Sequence, residues 1–463
     1  MAENAKFLEG SLFRHVTVMS LTASVGLMAI FLVDFVDMIF ISMLGRAELA
    51  AAVGYAGAIL FFTTSFGIGM AIAAGALVAR ALGAGDDALA QRRSSTALFY
   101  GIVFGIVFAA IVFANLEPLA ALLGAEGETL RLAIEYLSII VPSLPFLMVG
   151  MIGSAILRAH GDARRAMMVT LIGGAVNAVL DPILIFGAGL DLTGAALASV
   201  ASRISIAVAA ILPILRHYGG LPRPDMPALR ADLIPIAGLA FPAILTQLAT
   251  PIGQAYVTRS MASYGEAAVA GMAIVARLTP VAFGVLFALS GAVGPIIGQN
   301  FGAGRHDRVR LAMRDALIFI GVVVALVTTL LFLLRSPIAD LFGAEGLSRE
   351  LVFLFCGPLA LAFFFNGVIF TTNAAFNNLG HPYYSTWINW GRHTAGTIPF
   401  VILGAALFGA PGVLIGQAAG GVIFAVIALI LVRKVMSDAD PEAAGQDSFA
   451  RQARLFQLFH HRR

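Results

Sequence analysis

Two aspartates, Asp34 and Asp37, stand three residues apart in FLVDFVDMIF (31–40), a stretch that is otherwise almost wholly apolar. On a helix that spacing puts both on one face. Asn177 and Asp181 are four apart and share a face, and so do Ser199 and Arg203. A carboxylate in dry surroundings takes a cation or keeps a proton, because ionising it alone there is costly. Asp37, Asp181, Asn177 and Ser199 together supply two carboxylates, an amide oxygen and a hydroxyl. That is the oxygen-rich set a hard cation such as Na⁺ prefers. Pro182, next to Asp181, lacks a backbone donor and opens the helix at the same place. The same carboxylates, held close together, could instead carry one proton at neutral pH. Structural roles stay open: Asp181 could serve backbone groups freed at Pro182, and Arg203 could pair with one acid and leave the other to titrate.

These groups need elements that hold them in an apolar medium, and the composition supplies them. Apolar residues make up 59% of the 463 positions and charged residues 12%, about half the roughly 25% of soluble domains. Runs such as 16–44, 95–114, 317–334 and 413–432 are long enough to cross a hydrocarbon core as helices. The first residues mix acids and bases and lack the pattern of a cleaved signal, so the first span is expected to stay. Cys356 stands alone, so no intrachain disulfide is expected. Charged and Gly/Pro-rich breaks mark twelve spans, near 16–44, 50–78, 94–114, 130–157, 166–187, 194–215, 233–260, 267–297, 311–334, 350–376, 383–407 and 412–432.

The two halves repeat. The GAG at 83–85 recurs at 302–304, the GAEG at 124–127 recurs at 343–346, and Gly161 recurs as Gly380, each time 219 residues on. Six spans per copy return the chain to its starting side, so the repeats are parallel. The expected division is an amino-terminal six-helix lobe (1–215), a linker (216–232), a carboxy-terminal six-helix lobe (233–434) and a tail (435–463). Part of that tail could form a basic amphipathic helix on the membrane surface. The tails and the loops after even-numbered spans hold 22 of the 29 Lys and Arg residues when Arg392 is counted with them. Both termini are therefore expected in the cytoplasm.

Depth ties the polar residues together. At 1.5 Å per residue from the outer span ends, Asp37 lies about 12 Å deep, Asp34 about 16 Å and Asp181 about 9 Å. On the same basis Asn177 is about 15 Å deep, Ser199 about 8 Å and Arg203 about 14 Å. One layer of the first half therefore holds them all. At the same places the second half has Gly253 for Asp34 and Tyr256 for Asp37, with Gln254 the nearest polar neighbour. The acids belong to one half only, which favours function over a requirement of the fold.

The runs VDFVDMIFISMLG, NAVLDPILIFG with LTGAALASVASR, and GAVGPIIGQNFGAGRHDRVR resemble signatures of the multidrug and toxic compound extrusion (MATE) family. The resemblance runs from about residue 12 to 434. It implies an all-α membrane protein whose two parallel six-helix lobes form a V. It also implies a non-enzymatic exporter of cationic or amphipathic compounds, driven by inward H⁺ or Na⁺ through alternating access. Residue by residue, Asp37 matches the family's first-helix aspartate, Asn177 and Asp181 its fifth-helix pair, and Tyr136 an amino-lobe tyrosine. Ser199 stands where many relatives have threonine.

Cation coupling is thus expected at Asp37, Asp34, Asp181, Asn177 and Ser199. Asp37, Asn177, Asp181 and Ser199 would be metal ligands only under Na⁺ coupling, and no other cofactor is expected. Tyr136, Arg203, Arg277, Gln254, Asn366 and Asn373 are the candidates for the substrate cavity. The second half lacks deep acids, which points to the DNA-damage-inducible protein F (DinF) branch. Span 1 has no proline, so any bend there would use Gly26. Arg203 near the acids favours H⁺ over Na⁺. The chain is expected to be a monomer in the inner (plasma) membrane and to bind no nucleic acid. The rival readings are a lipid-linked-precursor flippase of the same superfamily, which would need more Arg and Lys in its cavity, and an intramembrane enzyme, for which no HExxH or GxSxG motif is present.

Overall fold

The computed structural model describes residues 5–438, apart from the side chains of residues 42 and 47. The amphipathic helix expected in the tail falls beyond residue 438 and so lies outside the described residues. Among the described residues the fold is all α, with no strand. The first repeat contains α1 (Leu12–Met43), α2 (Ala47–Gly83), α3 (Asp87–Ala114), the short α4 (Leu116–Leu122), α5 (Gly127–Ile140), α6 (Leu144–Ala159), α7 (Ala163–Pro182) and α8 (Asp191–His217). The second contains α9 (Met226–Ala262), α10 (Glu266–Gly302), α11 (His306–Leu341), α12 (Gly346–Leu354), α13 (Ala360–Asn378), α14 (Pro382–His393) and α15 (Ile398–Asp438).

Among the described residues, eleven segments are long and apolar enough to cross a membrane. The last, Pro382–Asp438, is twice the needed length and folds back on itself. Gly409 has φ +65°, a conformation open to glycine, and breaks the helix there. A side chain on Gly412 would strike the carbonyl of Gly404, one on Gly416 that of Phe400, and one on Gly420 that of Gly396. These pairs nest around Phe408, the signature of an antiparallel hairpin whose backbones touch through small residues. The expected spans 383–407 and 412–432 are its two arms. In the first repeat Gly194 meets the backbone of Leu184 and Ile185 in the same way. The repeat seen in the glycine spacing is therefore a repeat of packing. α6 packs on α2, α3 and α8, just as α13 packs on α10, α11 and α15.

Proline interrupts two further spans. Pro142 lies inside a 3-10 turn at Val141–Ser143 that separates α5 from α6, and Pro145 stands in the first turn of α6. Pro358 lies in a wide π-type turn, Phe355–Leu359, between α12 and α13. After Pro182 a similar turn spans Ile183–Gly187. Each costs a helical hydrogen bond and leaves backbone groups for side chains to satisfy.

The chain divides into two compact units, one holding residues 25–240 and the other residues 7–24 with 241–438. The linker is shorter than the expected 216–232: α8 runs to His217 and α9 starts at Met226. Asp225 caps α9, its carboxylate accepting from the Ala228 amide at 2.8 Å. Within the first unit the start of α9 is pinned. Asp232, 1% exposed, accepts from Arg92 at 2.9 and 3.2 Å and from the Thr96 hydroxyl at 2.9 Å. Tyr100 donates to the Leu229 carbonyl nearby. Within the second unit the turn that precedes α1 is pinned in its turn. The Phe7 amide donates to Gln299 Oε1, and the Phe7 carbonyl accepts from Asn300 and Arg308.

Candidate functional site: a carboxylate cluster in the first unit

α1 and α7 bring the site together. α7 is capped by Asp162 and presents Asn177 and Asp181 one turn apart, both buried. α1 runs unbroken past them. The amide nitrogen of Asn177 reaches Asp181 Oδ2 at 2.7 Å and both oxygens of Asp37 at 3.2 and 3.3 Å. One amide thus bridges two carboxylates, reaching Asp37 from 140 residues away in the chain. The two carboxyl groups lie within hydrogen-bonding reach of each other. Asp181 is 1% exposed, and its Oδ1 is buried with no hydrogen-bond partner. Buried acceptors are nearly always satisfied, so an orphan carboxylate oxygen calls for a proton or a bound cation.

Asp34 stands apart. It is exposed and makes no hydrogen bond or ion pair with a described residue. A turn of helix along from Asp37, it shares a face with it but not its partners.

Arg203 does not pair with either acid. Its guanidinium donates to the Ile140 carbonyl at 3.2 Å and to Ser143 Oγ at 3.0 Å. It thus satisfies the 3-10 interruption before α6. Placing an arginine at mid-membrane costs about 2.5–3.5 kcal/mol on insertion scales. Two hydrogen bonds from a charged donor return about 1.5–3 kcal/mol each, so the interruption itself accounts for Arg203. Pro142 and Pro145 were the sequence signal for that role. Tyr136 is buried beside Ser199 and Arg203, in the core formed by α2, α5 and α8. Ser199 makes no hydrogen bond with Asp37 or Asp181 and lies outside the bonded cluster, beside Tyr136.

The candidates of the second unit are dispersed. Arg277 is exposed on α10 and makes no hydrogen bond or ion pair with a described residue. Gln254 accepts from Gln417 at 3.4 Å. Asn366 is half-buried, and Asn373 is 9% exposed with its Oδ1 unpartnered. Arg392, counted from sequence with the loop residues, lies inside the last membrane segment at the end of α14, followed by the buried His393. A residue count from Pro382 could have found both. No group of three or more His, Cys, Asp or Glu suited to a metal occurs among the described residues. For Na⁺ the available oxygens are therefore those of Asp37 and Asp181, with Asn177 if its amide is turned over.

The family model MatE matches residues 23–183 and 242–400, one block in each repeat. An FAD transporter of Shewanella oneidensis is 30% identical over 94% of this chain and 97% of its own length. The multidrug export protein MepA of Staphylococcus haemolyticus is 26% identical over 92% of this chain and 94% of its own. In fold, the crystal structure of the Vibrio cholerae MATE transporter VcmN in its bent form matches with a TM-score of 0.87 at 24% identity, covering 92% of this chain and 98% of that one. The chain belongs to the MATE family of membrane transporters, and it is a multi-pass membrane protein rather than an enzyme.

Proposed function

We propose that the chain is a cation-coupled exporter of small amphipathic compounds, with Asp37, Asn177 and Asp181 as its coupling site. The observation that carries this is the orphan Asp181 oxygen in a cluster of two carboxylates held by one amide. Outward-open, the cluster takes an ion, and the change in its hydrogen bonding releases the compound. Inward-open, the ion leaves and a new compound binds. H⁺ is the better fit. The Asn177 amide presents its N–H₂ edge to both carboxylates, an arrangement that suits a shared proton, whereas Na⁺ would need the oxygen edge turned in. The distribution of Lys and Arg supports cytoplasmic termini, and the working unit is taken as a monomer.

Proteoliposomes with separately imposed pH and Na⁺ gradients test this. A cationic dye such as ethidium should be exported against an inward H⁺ gradient. Asp37→Asn should cut that export at least tenfold with expression unchanged, and Asp34→Asn should cut it less than threefold. Normal export by Asp37→Asn, or export driven by Na⁺ alone, overturns the proton-coupled site.

A second reading is export of a flavin dinucleotide. The FAD transporter relative suggests it. Three basic groups of the second unit away from the span ends, Arg277, Arg392 and His393, support it. A lipid-linked-precursor flippase would need a denser basic cavity than these three supply.

A further inference from the structure

In the first repeat, Val33 of α1 lies beside Gly174 of α7, whose missing side chain would have met it. The same place in the second repeat is occupied in reverse. Gly253 of α9, 219 residues after Asp34, is pressed against His393, 219 residues after Gly174. A side chain at Gly253 would collide with the imidazole, so the glycine is what admits the histidine. The glycine of the pair has thus changed helices, and a base stands where the first repeat has Gly174.

His393 is 5% exposed and its Nδ1 has no hydrogen-bond partner. Ten residues from Pro382, it and Arg392 lie about 15 Å into the membrane segment. The helix stops directly after them. Thr394 leaves helical geometry (φ −110°, ψ −84°), and α15 begins only at Ile398. The Arg392 guanidinium has no hydrogen bond or ion pair with a described residue. The charge that reaches His393 is that of Arg392. α9 offers it Gly253 and the neutral Gln254, which is bonded to Gln417 of α15, and α15 also places Phe424 against Gly391 and Gly396. α13, which packs on α14, carries no ionisable residue, and among the described residues no carboxylate bonds to the pair.

An unpaired cation beside a buried, unpartnered imidazole is an expensive arrangement in a low dielectric, and it becomes favourable when an anion joins it. We propose that Arg392 and His393, at this interruption of the helix, form an anion-binding subsite in the second unit that holds a phosphate or carboxylate group of the exported compound. The proposal rests on the exporter reading and names a substrate class for it: an aromatic amphiphile with an anionic end. As the anion binds, His393 takes one proton from water, and two positive charges then face the ligand.

The full chain in lipid nanodiscs, titrated with FAD and with riboflavin, tests this, since the two share the flavin ring and differ in the pyrophosphate-linked part. The unmodified chain should bind FAD at least tenfold more tightly than riboflavin, and inorganic pyrophosphate should compete with FAD. Arg392→Gln and His393→Gln should reduce the FAD-to-riboflavin ratio at least tenfold, and Arg392→Lys should restore part of it. FAD affinity should rise from pH 8 to pH 6 in the unmodified chain and lose that rise in His393→Gln. Equal binding of the two flavins by the unmodified chain, or no competition by pyrophosphate, overturns the subsite without using a variant at all. An unchanged ratio in both glutamine variants overturns it as well. Dye export by the unmodified chain under imposed gradients tests the exporter reading separately, so the two can fail independently.

Discussion

Three carboxylates of the first unit meet two different fates, decided by their neighbours. Asp37 and Asp181 share the Asn177 amide, whereas Asp34 is exposed and makes no hydrogen bond with a described residue. A fourth, Asp162, lies outside the spans at the start of α7 and is structural. Burial opposes its ionisation, but the Tyr218 hydroxyl at 2.6 Å, the Arg165 amide and the Arg165 guanidinium outweigh it and hold the carboxyl below its ordinary value. The same contact, after burial, pushes the Tyr218 hydroxyl up to about 12. A carboxyl lowered on folding stabilises the fold above its unfolded pKa, and that contribution disappears as pH falls through the lowered value. Thermal unfolding in detergent should therefore show Asp162→Asn less stable by a constant amount from pH 8 down to about pH 4. Below that the gap should narrow. A gap that persists unchanged at the lowest pH would show that the charge is not its source.

At the scale of elements, proline and glycine do the shaping. The break at Pro182 and the 219-residue glycine repeat were legible in the sequence; the interruptions at Pro142 and Pro358 and the glycine-lined hairpin came from the structure. The hairpin arms touch through Gly396, Gly404, Gly412, Gly416 and Gly420. Without a hydrophobic force between helices in lipid, such backbone contact is what joins them. Gly420→Val should push the arms apart at their tightest contact, against the Gly396 carbonyl, and lower folded yield several-fold. Gly421→Val, where no atom lies within 4 Å of an added Cβ, is the control. Equal yields would show that the close approach is dispensable. What spacing did not expose was the use made of each break. That Arg203 closes the one before α6 depends on a partner 63 residues away.

Across the whole chain, the segment between the repeats is a fastened element rather than a free tether. The Arg92–Asp232 pair is unequal: side-chain exposure is 41% for Arg92 and 1% for Asp232. Arg92→Ala strands a buried carboxylate with only Thr96 beside it, a loss of about 3 kcal/mol or more. Asp232→Asn leaves Arg92 able to reach water and keeps the Thr96 partner, at about 1–2 kcal/mol. Thermal stability in detergent should rank the unmodified chain above Asp232→Asn, and that above Arg92→Ala. The reverse order would mean that the arginine, not the aspartate, carries the burial cost.

The sequence alone determined that this chain crosses a membrane many times, that it is a tandem repeat, that its acids lie in the first half, and which family it resembles. Each of these is written in local composition, span length or regular spacing, and none needs a distant contact to be read. Tertiary structure decided which acid is engaged, because Asp37 is joined to Asn177 across 140 residues while Asp34, one turn away, is not. It decided that Arg203 mends a helix break and that His393 fills the space left by Gly253. Such pairings depend on how helices far apart in the chain pack against one another, and a periodic pattern specifies the face of a helix but not the neighbour it meets.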